Sequence, residues 1–292
     1  MNTGLRLDLE KEHQNPDTDW IYGAVSVPCI AQISPGEREN CLPIGEIQNK
    51  GEEKYDCATR SPLNIYEAKF TWLYWHSMLP ENRRWLEQNG YVVDNRVTFS
   101  DAFIAILSDT AKNKGNSLIK PIDTIHVCGL IPKKMLPQTD TFASYYDPNR
   151  ITNDMLALGK EFKSRFPLNY ERVYEPDFGK VLESDFISTA GYAWTVPVND
   201  EYPNPGDMTP NHAFAAFNLP KYLIFDNYLD TDNDFIKKLA PDYNLVDFGY
   251  RCYVSAETSE KDRGIQLSVL DRLMQYGLWS FFKDWFNRFV GV

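Results

Sequence analysis

Asp56-Cys57-Ala58-Thr59-Arg60-Ser61-Pro62-Leu63-Asn64-Ile65-Tyr66-Glu67 is the stretch on which the fold turns. Beyond it, apolar residues recur at helical spacing as Leu63, Tyr66, Phe70 and Leu73, and Trp72, Trp75 and Leu79 widen the stripe. A stripe this broad predicts a central, buried helix ended by Leu79-Pro80. Two starts compete. If the helix begins at Asp56 or Cys57, the thiol sits among unsatisfied N–H groups that favour a thiolate, and Pro62 falls inside the helix. If Ser61 is the N-cap and Pro62 the first helical residue, Cys57 stays in the preceding loop. The start near Cys57 is the expectation taken forward. A lone Cys ahead of an apolar helix is most often a small buried hydrophobe, so a chemical role needs partners.

Downstream, 212–217 reads as a strand opened by His212, and 222–226 as a strand ended by Asp226. A thiol nucleophile needs an imidazole to take its proton, and the imidazole needs a third group to orient it. Cys57, His212 and Asp226 supply one such set, with Asn227 beside Asp226 as an alternative third member. Other candidates are weaker. His126 and Cys128 sit two apart in a helical stretch and face different ways, which reads as core filling. His76 lies with Trp72 and Trp75 and reads as packing. Asp230-Thr231-Asp232-Asn233-Asp234 imitates half of a calcium loop, but Phe235 stands where the loop needs Gly and Pro241 where it needs Glu, so a solvated acidic loop is the better reading.

The remaining chain divides by character. Residues 1–20 are polar and read as an N-terminal arm. Residues 21–27 and 30–33 look β-like, broken at Ser34-Pro35-Gly36 as by a hairpin turn. Helices are expected at 82–90, at 102–108 behind a Ser100-Asp101 cap, at 119–127 ahead of Gly129, at 150–166, and over 171–180. From about 185, strands dominate at 186–197, 212–217, 221–226 and 244–254. This order predicts an α+β domain over 21–264, with a helical lobe at about 57–180, a β-rich lobe at about 21–47 and 185–255, and a cleft between them. Residues 265–292 are expected to form a C-terminal amphipathic helix. Its charges make it a poor membrane span, and packing on the chain's own lobes, docking on a partner or lying at a membrane interface are its alternatives.

The chain has 292 residues, 43% of them hydrophobic and 14% aromatic, enough for a substantial core. A formal charge of −11 argues against binding a phosphate backbone. Five cysteines without close pairing and only four histidines argue against a zinc site and for reduced thiols. No cofactor is expected. The N-terminus lacks the basic and apolar regions of a signal peptide.

Several pieces resemble the papain-like cysteine peptidases. His212-Ala213 opens a strand, and Leu223-Ile224-Phe225-Asp226-Asn227-Tyr228 resembles the family's apolar strand ending in Asn-Ser-Trp, which puts Asp226, or Asn227, where the family carries its orienting Asn. The chain is more similar still to papain-like proteins encoded by tailed phages, through Asp19-Trp20-Ile21-Tyr22-Gly23-Ala24, Leu42-Pro43-Ile44-Gly45-Glu46-Ile47-Gln48, Asp56-Cys57-Ala58-Thr59-Arg60-Ser61, Phe99-Ser100-Asp101-Ala102-Phe103, Gly115-Asn116-Ser117-Leu118 and Gly129-Leu130-Ile131-Pro132. The resemblance implies a papain-like fold and a cysteine hydrolase acting on a peptide or other amide. It also implies an oxyanion-hole Gln, for which Gln48 is the candidate, acting with the Cys57 backbone N–H. Cys57 lacks the aromatic neighbour of papain-like enzymes. A phage setting implies the host cytoplasm or the virion as location and phage structural proteins as partners of the C-terminal helix. The competing reading is a papain-fold structural component of a virion with little or no chemistry. A deamidase or transferase on the same residues is a third.

Overall fold

The computed structural model describes residues 5–10, 21–23, 29–110, 115–193, 195–218, 222–229 and 235–255. Residues 1–256 form one compact unit. The C-terminal segment from 265 and the acidic run 230–234 lie outside the described residues.

The central helix begins at Cys57. Pro35–Cys41 (α1) precedes it, and Cys57–His76 (α2) runs for 20 residues with nearly every side chain up to Leu73 buried. Pro80–Asn89 (α3) follows, closed by Gly90 in the left-handed conformation, then a two-residue hairpin of Val92–Val93 (β1) and Arg96–Val97 (β2). Asp101–Leu107 (α4) is capped by Ser100, whose hydroxyl accepts from the Phe103 N–H. Ile119–Cys128 (α5) ends at Gly129, Phe142–Tyr145 (α6) is a single turn, and Asn153–Arg165 (α7) is capped by Thr152. The rest is sheet, with the short helix Phe178–Leu182 (α8) inserted. Leu168–Tyr174 (β3), Ile187–Gly191 (β4), His212–Asn218 (β5), Leu223–Phe225 (β6), Ile236–Lys238 (β7) and Phe248–Val254 (β8) pair antiparallel in the order β3-β8-β4-β5-β6-β7.

The sheet is covered on both faces, and β5 shows why its sequence looks as it does. Ala213, Ala215 and Phe217 enter the core that holds α2, whereas Phe214 and Ala216 enter a second core with Val173, Phe178, Val181, Leu182 and Ile224. The alternation is that of a strand buried on two sides. The alanines are small on the side where a helix backbone comes close. Beyond α2, the first core is built on rings: Phe70 lies 5.1 Å from Phe162 and 5.2 Å from Phe166, and Phe99 lies 5.3 Å from Phe162, at tilted or edge-on angles.

Three expectations are corrected. Ser34-Pro35-Gly36 is a helix start, not a hairpin turn: Pro35 fixes the backbone at the first position of α1, and Ser34 Oγ donates to the Glu37 carboxylate. The stretch expected as helix over 171–180 begins as strand β3. Its seven residues pair with the whole of β8, and Glu171 faces Arg251 across that ladder at 3.1 Å, so tertiary pairing overrides a helix-compatible composition. The lobe boundaries shift accordingly, since β3 joins the sheet and the region before Cys57 contributes a helix. Within the N-terminal arm, residues 5–10 are docked. Leu5 bridges to Asn116, and Glu10 is buried, accepting from the Leu118 N–H at 2.8 Å and from Tyr250 Oη at 2.5 Å.

Ser61 shows how the competition over the helix start is resolved. Its hydroxyl caps nothing. It donates to the Phe214 carbonyl at 2.6 Å and lies 2.7 Å from Ser188 Oγ, riveting α2 to β5 and β4. Pro62 sits inside the helix, where it withholds one N–H.

Candidate active site

Three segments converge at the first turn of α2: the loop 46–56, the start of β5, and the end of β6. Cys57 is the first helical residue, so its N–H has no acceptor within the helix. Its sulfur is buried, and the backbone N–H of Ala213, the residue after His212, lies near enough to favour its anionic form. His212 is fully buried, and its Nε2 lies 2.6 Å from Asp226 Oδ1. The edge of the Tyr228 ring meets the imidazole at 5.1 Å between centroids. Cys57, His212 and Asp226, read from three distant stretches, are thus brought into one neighbourhood.

Asn227, the alternative third member, is committed elsewhere. Its Oδ1 accepts from Asn64 Nδ2 at 2.8 Å, and its Nδ2 donates to the Glu46 carbonyl at 3.1 Å. It ties the end of β6 to α2 and to the preceding loop, and leaves the imidazole to Asp226. Asp226 has a second partner. Lys237 Nζ lies 3.1 Å from Asp226 Oδ2, and it also donates to the Tyr228 carbonyl. Burial raises the Asp226 carboxyl, but His212 and Lys237 outweigh it and hold it below the ordinary carboxylate value.

Gln48 reaches the site with its amide occupied. Its backbone N–H donates to the Asn227 carbonyl at 2.9 Å. Its Nε2 donates to Glu53 Oε1 at 2.7 Å and to Tyr228 Oη at 3.0 Å, and Tyr228 Oη in turn donates to the other Glu53 oxygen. Both amide hydrogens are therefore used within a Gln48–Glu53–Tyr228 ring. Glu53 has a further task. Its Oε1 accepts from the Tyr55 N–H at 2.9 Å, and Tyr55 stands at φ 57°, a left-handed conformation that costs an aromatic residue energy. The carboxylate so braces the turn that delivers Asp56 and Cys57. Lys54, buried between them, anchors the loop by donating to the carbonyls of Lys50 and Asp140 at 2.9 Å and to that of Glu52.

The electrostatics differ from the expectation for a helix-start thiol. Burial pushes the Cys57 thiol well above its ordinary value, and the carboxylates of Asp56, Glu53 and Asp226 push it further, against the single opposing hydrogen bond from Ala213. The helix N-terminus is present, but three nearby carboxylates and desolvation outweigh a helix-end effect worth about 1 kcal/mol. Burial and the neighbouring carboxylates thus both favour the protonated form of the Cys57 thiol. Replacing Glu53 with glutamine removes one of those charges and keeps an acceptor for Gln48 and Tyr55. Cys57 in Glu53→Gln is expected to alkylate with iodoacetamide roughly 3–10-fold faster at neutral pH, the equivalent of about half to one pH unit. An unchanged rate with an intact fold would remove Glu53 from the electrostatics of the thiol.

Behind Cys57, Asp56 belongs to a buried charge cluster. Arg60 Nε lies 2.9 Å from Asp56 Oδ1, and Arg60 Nη1 lies 3.0 Å from Asp101 and 3.6 Å from Glu46, while Tyr145 Oη donates to Asp56 at 2.6 Å. Lys133 closes the cluster on Glu46 at 2.5 Å. The other sequence candidates are structural. His126 Nδ1 lies 2.6 Å from the Leu168 carbonyl, and His76 packs against Trp72 and Trp75.

Sequence reasoning missed Glu53, Tyr228 and Lys237. Tyr228 stood in the quoted strand end without a role. Glu53 lies in a polar run with no signal to distinguish it from Glu52. Lys237 acquires its place only through the β6–β7 register, which pairs Ile224 with Lys237.

No protein-family model matches the sequence, and no curated protein matches it by sequence. Solved structures do match. The chain is similar to xylellain, a cysteine protease from Xylella fastidiosa, with a TM-score of 0.55 and 16% identity over 84% of this chain and 94% of that one. It is also similar to a chain from a structural study of the mite allergens Blo t 1 and Der p 1, with a TM-score of 0.50 and 11% identity over 86% of this chain and 78% of that one. At such identities the likeness is one of fold, and the fold is papain-like α+β.

Proposed function

We propose that the chain is a cysteine hydrolase cleaving a peptide or another amide bond, with Cys57 as nucleophile, His212 as its base and Asp226 as the group that orients His212. The observation that carries the reading is the buried His212 imidazole, whose Nε2 is held at 2.6 Å by the buried Asp226 carboxylate next to the first turn of the helix that Cys57 opens. With Asp226 on Nε2, Nδ1 is the nitrogen that serves the thiol. His212 takes the thiol proton as the sulfur attacks the carbonyl carbon. It returns that proton to the departing amine, and water then releases the acyl group. Charge developing on the carbonyl oxygen meets the Cys57 N–H at the helix start and the Gln48 amide, once that amide exchanges its Glu53 or Tyr228 contact for the oxyanion.

A second reading has its own support. The closed Gln48–Glu53–Tyr228 ring and a buried thiol held toward its protonated form also suit a papain-fold structural component without turnover. The phage setting, a location in the host cytoplasm or the virion, and partners bound through the C-terminal segment remain proposals resting on the sequence resemblance. Among the described residues no helix is long and apolar enough to cross a membrane.

A thiol probe separates the two readings. Under limiting iodoacetamide with mass-spectrometric localisation, the hydrolase labels selectively at Cys57 among its five cysteines, and His212→Ala removes that selectivity. Labelling that follows solvent exposure alone, or that ignores His212→Ala, would sink the enzyme reading. Cys29 and Cys128, the two half-buried cysteines, would then react first.

A further inference from the structure

Lys237 is among the least expected residues in the site. It lies on β7, at the edge of the sheet, and is 2% exposed. A buried ammonium is costly unless paired, and an apolar pair of similar volume is often the more stable choice. Here the ammonium has a specific position. It meets Asp226 Oδ2 at 3.1 Å while Oδ1 meets His212 Nε2 at 2.6 Å, and it donates to the Tyr228 carbonyl. The backbone sets this arrangement, since the Asp226 N–H donates to the Phe235 carbonyl at 2.9 Å and locks the end of β6 to the start of β7.

We infer that Lys237 is a positioning residue for the reaction, an ammonium that fixes Asp226 on one oxygen so that the other can orient His212. The inference rests on the hydrolase reading. Its logic is charge balance. A solitary buried carboxylate beside an imidazole favours the imidazolium, and a neighbouring ammonium offsets that pull. Asp226 with Lys237 is neutral as a pair. It holds the ring through a charge-assisted hydrogen bond without setting a lone negative charge against it. The remaining polar or titratable groups that face this pair are Cys57 from α2, Tyr228 after β6 and Tyr243 before β8, with Glu53 reaching Tyr228 from the loop before α2. Among these described groups Lys237 is the only lysine or arginine.

The test follows the His212 ring directly, by NMR of ring-labelled histidine in the full chain, assigned with His212→Gln, alongside thermal unfolding. In Lys237→Met the cationic ring signal persists to a pH higher by about one unit than in the unsubstituted chain. In Asp226→Asn, which leaves the ammonium unopposed, it disappears at a pH lower by about one unit. Lys237→Arg, and the double variant Asp226→Asn with Lys237→Met, both restore the original curve. A purely structural lysine would lower the melting temperature in these variants and leave the ring curve where it was, and that result overturns the inference. Should Lys237→Met fail to fold, the opposite shift in Asp226→Asn and its reversal in the double variant decide the matter in the same way. The ring signal needs no turnover. If labelling at Cys57 ignores His212, the hydrolase reading falls whatever the ring does. If labelling obeys His212 and the ring curve is unmoved, only the role of Lys237 falls.

Discussion

Cys57→Ala should abolish hydrolysis of a fluorogenic peptide-amide library, by on the order of 10⁴-fold or more, while leaving the melting transition within about 1–2 kcal/mol of the unsubstituted chain. The first expectation follows from the chemistry. Without the sulfur no acyl intermediate forms, and His212 has no proton to take. What remains is the rate that positioning and oxyanion contacts alone give to water. The second follows from the surroundings. The side chain is small and buried at the start of α2, and its removal opens little more than the space of one sulfur. His212→Ala should approach the same loss of turnover, because the two residues act as a unit and their effects do not add. Hydrolysis that survives Cys57→Ala in purified protein would show that another group is the nucleophile, and the reading built on this site would end there.

Arg60→Met should cost the fold about 3–5 kcal/mol at neutral pH, measured by chemical denaturation. Arg60 is fully buried and faces three carboxylates, Asp56, Asp101 and Glu46. Methionine fills the volume but leaves those carboxylates without their main counter-charge. The pH dependence gives the prediction its sharper form. Burial drives the carboxyl groups of Asp56 and Asp101 upward, against the pull of Arg60. Glu46 behaves differently: burial raises it too, but Arg60 and Lys133 overcome that and hold it at about 2. A carboxyl held this low adds stability above its unfolded value near 4.5, and that stability fades as pH falls through about 2. Losing Arg60 removes much of this contribution, and it lifts Asp56 and Asp101 still higher. Carboxyls raised in the fold add stability only where they are protonated, and they lose it as pH rises. The penalty for Arg60→Met should therefore be largest near pH 7 and shrink toward pH 4. A penalty that is flat with pH would mean that lost packing, not lost charge, carries the effect.

The parts of this fold legible in sequence are those set by local rules. The broad stripe of α2, the Ser100 cap of α4, Gly129 after α5 and the strands β5 and β6 were all visible because periodicity and capping act within a few residues. The parts that were not visible depend on partners far away in the chain. Glu171-Arg172 carries no strand signature until β8 lies beside it, and Ser34-Pro35 reads equally as a turn or a helix start until the helix is built. The candidate site divides the same way. Cys57, His212 and Asp226 could be named because their residue types and order suggest a chemistry. The electrostatic state of the thiol could not, since it depends on how close Glu53, Asp56 and Asp226 come in three dimensions. Ser61-Pro62 is the instructive ambiguity. Its local grammar is that of a cap, and what overrides it is a hydroxyl bond to a strand more than a hundred residues downstream.

That hydroxyl has a consequence for control. Ser61 and Asn64 lie on the same face of α2 as Cys57, one and two turns further on, and both are fastened to the sheet side of the site: Ser61 to the Phe214 carbonyl and Asn64 to the Asn227 side chain. A helix pinned at both of these turns holds its sulfur in place while the strands stay put. What can yield is the loop that leads into Cys57, where the Glu53 carboxylate alone braces the left-handed turn at Tyr55.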